Sequence, residues 1–282
     1  MPAKSPVLVC RYADDPGPHH IHSHLSCELI YVRRGKALFT AGESRYTVGG
    51  GAVVVLSSLE DHSVTVLEEP YQRYFTMLSV AELEKQTGNP RLTAVFKNRP
   101  PGFRHVLTLP GGGERLEGIF AALLAEYSRP GAFSGELSAA LIKELLILLC
   151  RANPAAFPSC AGPLYQKIEE AQRYLESHFT EPVSVAEIAG RAFLQADYFS
   201  RSFKEITGYT PKQYLTLLRL TYGCELLLQS GLAVQDIAVR CGFGDASSFI
   251  QAFKKRYGAT PHQYRRQEGA AGLITGGGKG QK

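Results

Sequence analysis

"GFGDASSFIQAFKKRYGATPHQYRR" (242–266) repeats something said fifty positions earlier, in "AFLQADYFSRSFKEITGYTPKQYLTLLR" (192–219). Phe199 matches Phe249, Phe203-Lys204 matches Phe253-Lys254, Gly208 matches Gly258, Thr210-Pro211 matches Thr260-Pro261, and Gln213-Tyr214 matches Gln263-Tyr264. The spacing is constant, so the second half of the chain is built on a duplicated unit, and the repeat fixes its architecture.

Each copy reads as a helix, a tight turn, a second helix and a glycine stop. Ser184-Val185-Ala186-Glu187 has the form of a capping box at the start of the first helix; the second copy has Ala233 where the serine stood, a weaker cap. The second helices are expected over 196–206 and 246–256. Phe199 and Phe203, at i and i+4, belong to a core stripe. Asp197, Ser200, Arg201 and Lys204 form a separate polar stripe, and Ser247, Ile250, Gln251 and Lys254 are its counterpart in the second copy. Gly208 and Gly258 stop these helices, and Thr210 and Thr260 cap the next ones, with Pro211 and Pro261 at first helical positions. A short helix carrying such a polar row suits the DNA major groove. The connecting helix, from Pro211 to about Leu228, is long enough to hold two such helices near the groove repeat of about 34 Å. Gly223 inside it is read as a close helix contact. A plain helical bundle with a solvated polar face is the competing reading; two copies with matching caps, stops and stripes favour DNA.

The pattern IA-x-x-x-G-F-x-D-x-S-x-F-x-x-x-F-K-x-x-x-G-x-T-P-x-x-Y-R over 237–265 resembles the C-terminal signature of AraC-type transcriptional regulators, and residues 164–266 resemble that family's double helix-turn-helix domain. The resemblance implies two recognition helices reading an asymmetric site. Phe193 stands where the first turn usually has glycine, Gln195 where a capping serine is usual, and Ile250-Gln251 where Ser-Arg is common. By position, Arg201 and Gln251 are assigned to base edges, with Ile250 against a thymine methyl, and Lys204 and Lys254 to phosphates. Asp197 either accepts from cytosine or caps its helix, and Lys255, Arg265 and Arg266 either add charge or are solvated.

The first half reads differently. "ELIYVRRGKALFTAGESRYTVGGGAVVVLSS" carries short β-branched and aromatic runs, with turns at Ala41-Gly42-Glu43 and Gly49-Gly50-Gly51, which suggests a barrel or sandwich. In "HHIHSHLSCELIYVRRG", His22, His24 and Glu28, with His62 farther on, could converge inside a barrel as an effector pocket or a divalent-metal site. The spacing His22-x-His24-x-x-x-Glu28, with Gly35, also resembles the first cupin motif, and "GGGAVVVLSSLEDH" a degenerate second one. That resemblance implies a small barrel with a central pocket.

"ERLEGIFAALLAEYSR" (114–129) and "GELSAALIKELLILLCRA" (135–152) have helical periodicity. Leu137, Leu141, Leu145 and Leu148 either pair two copies of the chain or pack on the barrel. The expected fold is α+β with two domains: a cupin-like sensor barrel over 1–110, coupling and dimerisation helices over 111–152, a linker over 153–163, a double helix-turn-helix over 164–268 and a disordered tail over 269–282.

Bulk properties agree. The chain has 282 residues, 44% hydrophobic, with a net charge of +5, a balance that nucleic-acid binding accommodates but does not require. Six scattered cysteines without a C-x-x-C pair argue against a disulfide framework or a thiolate zinc site. The N-terminal "MPAKSPVLVCRYADDPG" lacks a signal-peptide core, and no run reaches membrane-span length, so a soluble cytoplasmic protein is expected. The function expected is a transcriptional regulator, with no enzyme activity, whose barrel senses a small molecule. Its expected partners are double-stranded DNA, a small-molecule effector and a second copy of the chain, with RNA polymerase as a further candidate and no membrane. The alternative is a metal-dependent cupin enzyme, an oxygenase or isomerase, fused to a DNA-binding domain.

Overall fold

The structure, a computed structural model, describes residues 5–14, 21–97, 103–158 and 162–266. It has two compact units, one running to Gln166 and the other mainly from Lys167 onward. The expected tail over 269–282 lies outside the described residues.

The first unit is a six-stranded antiparallel sheet with helices. Its strands are β1 (Val7–Ala13), β2 (Cys27–Ala41), β3 (Ser44–Gly49), β4 (Ala52–Leu56), β5 (His62–Leu78) and β6 (Val106–Thr108), paired in the order β1-β5-β2-β4-β6 with β3 also on β2. Strands β2 and β5 pair along most of their length, with register shifts between Val32 and Ala37. Alternation sorts the side chains of each strand onto two faces. Cys27, Leu29 and Tyr31 of β2 and Val53 and Val55 of β4 join one apolar cluster together with the helices. Ile30, Val32, Val54, Leu56, Val48, Val64 and Tyr71 form a second cluster made of strand residues alone. A sheet whose inner face packs on itself must curl. Among the described residues, however, β1 and β6 do not pair, so the expected barrel is a rolled sheet and not a hydrogen-bonded ring.

Helices α1 (Val80–Thr87) and α2 (Pro90–Lys97) were not expected inside the 1–110 segment; Ser79 caps α1 by accepting from the Glu82 N–H. Helices α3 (Gly113–Ser128) and α4 (Ser134–Ala152) cover the outer face of the sheet. The expected leucine stripe of α4 splits. Leu145 is fully buried in the unit's own core, Leu141 and Leu148 are half-buried against it, and Leu137 is exposed. Part of the expected linker is core as well: Pro154–Ala156 forms a 3-10 turn, and Phe157 is fully buried in the first unit's cluster.

The second unit is all helix: α5 (Pro163–His178), α6 (Val185–Arg191), α7 (Ala196–Thr207), α8 (Pro211–Gln229), α9 (Val234–Arg240) and α10 (Ala246–Tyr257), with residues 261–266 helical. The duplication is visible in its packing. Phe199 and Phe203 pack at a tilt with centroids 5.6 Å apart, and Phe249 and Phe253 likewise with centroids 5.5 Å apart. Phe203 meets Tyr214 edge-on at 5.6 Å, and Phe253 meets Tyr264 at 5.5 Å.

Candidate functional site

Two regions bring candidate functional side chains together, one in each unit. In the second unit, α7 and α10 are the helices whose outer rows were expected to read DNA. Their inner rows are fully buried at Phe199, Phe203, Phe249 and Phe253, which fixes the rotation of each helix. Asp197, Arg201 and Lys204 are therefore exposed and Ser200 half-buried, while Ser247, Gln251 and Lys254 are exposed. Ile250 is divided, with part of its side chain against the local core, so only its remainder faces outward.

The ends of these helices are set by local chemistry. The Thr210 hydroxyl accepts the Gln213 N–H at 3.3 Å while the Gln213 side chain accepts the Thr210 N–H at 2.9 Å, a complete capping box that starts α8. Thr260 and Gln263 repeat it at 3.4 and 2.9 Å. Ser184 accepts the Glu187 N–H at 3.1 Å, but the expected return bond is replaced: Glu187 accepts from the Tyr174 hydroxyl at 3.1 Å. Ala233 makes no side-chain cap, as its chemistry dictates. Asp245 caps α10, accepting the Ser248 N–H and hydroxyl at 2.7 Å each; the Ser248 hydroxyl and then its N–H hold the Asp245 carboxyl below its ordinary range.

The two turns share one geometry despite different residues. Phe193 has φ 53° and Gly242 has φ 79°, both left-handed. Their N–H groups bond Gly190 and Val239 carbonyls at 3.0 and 2.9 Å. A side chain in this region is strained, and Phe193 is 87% exposed, so no packing offsets the strain. Helix α8 joins the two copies; its 19 residues span about 28 Å. Arg265 is not a free surface charge: it donates to the Leu227 and Leu232 carbonyls at 3.0 and 2.7 Å.

In the first unit, the four expected pocket residues converge. His22 and His62 form an isolated bridge with reciprocal backbone bonds of 2.9 Å, and their rings lie 4.2 Å apart. His24 Nε2 lies 3.2 Å from Glu28 Oε2, and His62 Nε2 lies 3.5 Å from the same oxygen. Burial alone would push the Glu28 carboxyl up; the His24 and His62 imidazoles outweigh it and hold the group well below the usual carboxylate range. A second polar cluster was not foreseen. His105 Nε2 lies 2.6 Å from Glu60 Oε1, and its Nδ1 lies 3.0 Å from the Tyr46 hydroxyl. Residues 46, 60 and 105 share no local motif, so only the sheet's pairing could have joined them. The described cysteines, Cys10, Cys27, Cys150, Cys224 and Cys241, are free. Among the described residues no helix is long and apolar enough to cross a membrane.

Comparison with known proteins covers both units. Residues 5–149 match the AraC-like ligand binding domain, and residues 188–267 match a helix-turn-helix domain. The chain is 26% identical over 257 residues to the HTH-type transcriptional activator RhaS of Klebsiella pneumoniae, covering 87% of each chain. It is 24% identical over 265 residues to the activator RhaR of Mannheimia succiniciproducens, covering 93% of this chain and 92% of that one. In fold it is similar to ToxT of Vibrio cholerae, with a TM-score of 0.61 at 14% identity over 91% of this chain and 96% of that one. ToxT solved with an unsaturated fatty acid bound gives a TM-score of 0.59 at 14% identity, over 94% and 97%.

Proposed function

This chain belongs to the AraC-type family of transcriptional regulators, and we propose that it reads DNA with the outward rows of α7 and α10 while the first unit senses a small molecule. The observation that carries the DNA reading is the twin exposure. Two duplicated helices, each pinned by a pair of buried phenylalanines, turn Arg201 and Lys204, and Gln251 and Lys254, to solvent. Arg201 grips guanine O6 and N7 and Gln251 pairs with adenine, while Lys204 and Lys254 hold phosphate; Asp197, Ser200 and Ser247 lie beside them, and the outward part of Ile250 meets a thymine methyl. The rod of α8, about 28 Å long, is comparable with a groove repeat of about 34 Å, which supports entry of the two helices into adjacent grooves.

The inner polar end of the first unit, His22, His24, Glu28 and His62, is the part we assign to effector contact. The exposed Leu137 with half-buried Leu141 and Leu148 on α4 supports pairing with a second copy of the chain, and Leu145 takes no part because it is core. Since the relatives are named transcriptional activators, RNA polymerase is the partner we expect downstream, in the cytoplasm and without an enzymatic step.

Selection of duplexes from a randomised pool, followed by footprinting, tests this reading. The expected result is an asymmetric site with two protected major-groove segments one helical turn apart. A single protected segment, or no enrichment over random sequence, would refute it.

A further inference from the structure

The two copies of the duplicated unit are joined by more than α8. The loop that leaves α5 and leads into α6, residues 179–181, reaches both the connecting helix and the second copy. The Phe179 ring meets Tyr222 of α8 edge-on at 5.4 Å, and Tyr222 packs on the core of the second copy. Arg219, also on α8, donates from Nε to the Phe179 carbonyl at 2.6 Å and from Nη2 to the Glu181 carbonyl at 2.8 Å. The same loop touches the turn between α9 and α10. A Cβ added at Gly242 would stand 2.7 Å from the Thr180 carbonyl oxygen and 3.0 Å from that of Phe179. The turn of the second copy therefore rests directly on the backbone of a loop that belongs to the first.

A rod alone leaves a freedom open. Helix α8 fixes the distance between its own ends, but each copy can still pivot about the turn that joins it to α8. Loop 179–181 opposes that pivot, because it ties the copies together through Arg219, Tyr222 and Gly242, which lie outside both turns. Arginine suits the task. Its guanidinium is a planar fork of donors in fixed geometry, able to hold two carbonyls at once, whereas a lysine ammonium is one mobile point. Those carbonyls follow the end of α5, where backbone acceptors lack helical partners and a cation is favoured. Arg219 is half-buried, and the loss of hydration lowers its pKa from the ordinary value.

Resting on the regulator reading above, we propose that Arg219 is a positioning residue: by holding loop 179–181 as a strut between the copies, it sets the spacing and rotation of α10 relative to α7, so that both outward rows engage one duplex together. Two linked modules gain about 10²–10⁴ in affinity over either alone when the geometry permits simultaneous engagement, and nothing when it does not. The strut is what keeps the two rows in the first case.

Spin-labelled unnatural residues at Glu205 and Lys255, exposed and fifty positions apart on α7 and α10, test the strut in the DNA-free full-length chain. The wild type should give one narrow inter-label distance distribution and Arg219→Met a broader one, since methionine keeps an apolar stem but has no donor. Arg219→Lys should fall between the two. Gly242→Ala, which presses a methyl onto Thr180, should also shift or broaden the distribution. Gly258→Ala is its control, with φ 73° against 79° and no atom within 4 Å of the added Cβ. Circular dichroism shows whether each variant is folded; if Arg219→Met is not, Arg219→Lys and Gly242→Ala carry the test.

DNA affinity is then measured without labels on a selected duplex and on duplexes that keep either protected segment alone. The wild type should prefer the paired segments by at least about a hundredfold, and Arg219→Met should cut that preference at least about tenfold while binding each single segment within about twofold of the wild type. A merely destabilised protein would lose the same fraction on all three duplexes. Unchanged distances in the folded variants overturn the strut. Changed distances with an unchanged preference, or with equal losses on paired and single segments, overturn its part in reading DNA. If the wild type itself shows no preference for paired segments, the twin-helix reading alone fails, and the distance measurement still decides the strut.

Discussion

Replacing Gly223 by alanine should weaken the second helix-turn-helix although alanine is the better helix former. Gly223 is buried in the middle of α8. A Cβ built there would stand 2.8 Å from Phe249 Cε2, 3.0 Å from Phe249 Cζ and 3.3 Å from Cys241 Sγ. Comfortable carbon contacts begin near 3.5 Å, so the methyl lacks roughly 0.7 Å. Phe249 cannot swing away, because it is fully buried and packed against Phe243 and Phe253 with centroids at 5.3 and 5.5 Å. Overpacking of this kind costs about 1–3 kcal/mol, and the helix preference of alanine returns about 1 kcal/mol. The net expectation is a loss of up to about 2 kcal/mol in urea unfolding followed by circular dichroism. Gly190→Ala on α6 is the internal comparison. No atom lies within 4 Å of its added Cβ, so the propensity gain of up to about 1 kcal/mol should stand alone. Footprinting adds a functional readout: Gly223→Ala should weaken protection on the α10 side more than on the α7 side. If Gly223→Ala is as stable as the wild type with an unchanged footprint, the close-packing argument fails.

Phe193→Gly should raise stability by roughly 0.5–1 kcal/mol, because relief of about 1–2 kcal/mol of left-handed strain exceeds the added chain entropy of glycine; a lower melting temperature would show that the exposed ring makes a contact of value. Arg201→Ala should cost about 1–3 kcal/mol of specific DNA affinity and relax preference at one base pair, whereas an equal loss on random DNA would assign Arg201 to phosphate. Lys254→Ala should weaken binding uniformly across sequences and lower the salt slope by about one unit; an unchanged slope would remove it from the phosphate set.

The second unit was legible because its signals are local. Thr210 with Gln213, Thr260 with Gln263, and the stops at Gly208 and Gly258 each act within a few residues, and duplication showed every signal twice. Glu187 misled for the same reason: the Ser184 motif permits the return bond, but Tyr174, thirteen residues earlier, claims the carboxylate. The first unit depends on distant pairing. His24 and Glu28 were readable from spacing on one segment, and His62 from a second motif, yet their meeting rests on the bridge between His22 and His62. The Tyr46, Glu60 and His105 cluster had no sequence signal at all. Helix α1 carries signals, Ser79 before Glu82 and Gly88 at its end, but it lies in the 1–110 segment assigned as a whole to the barrel. Phe157 shows the limit of composition: a stretch rich in proline and alanine reads as a linker, and one aromatic residue in it docks into the core.

The two copies are alike in their cores and unlike at their entrances, and the difference bears on how they read DNA. Helix α10 begins at Asp245, whose carboxylate accepts two bonds from Ser248, whereas α7 follows a turn that holds Phe193 left-handed. A capped start fixes the first turn of a helix, and a cap contributes about 1 kcal/mol. The strain at Phe193 acts in the opposite direction by a similar amount. The row of α10 is therefore presented from the firmer frame, but with one cation, Lys254, and the divided Ile250. The row of α7 carries Arg201 and Lys204 from the looser frame. Asp197 and Glu205 offset those two charges within α7, whereas the last turn of α10 adds Lys255 and Arg256 to Lys254 with no acidic residue in the helix. Substitution of the α10 cations should accordingly change the salt dependence more, and Arg201→Ala on α7 the sequence preference more.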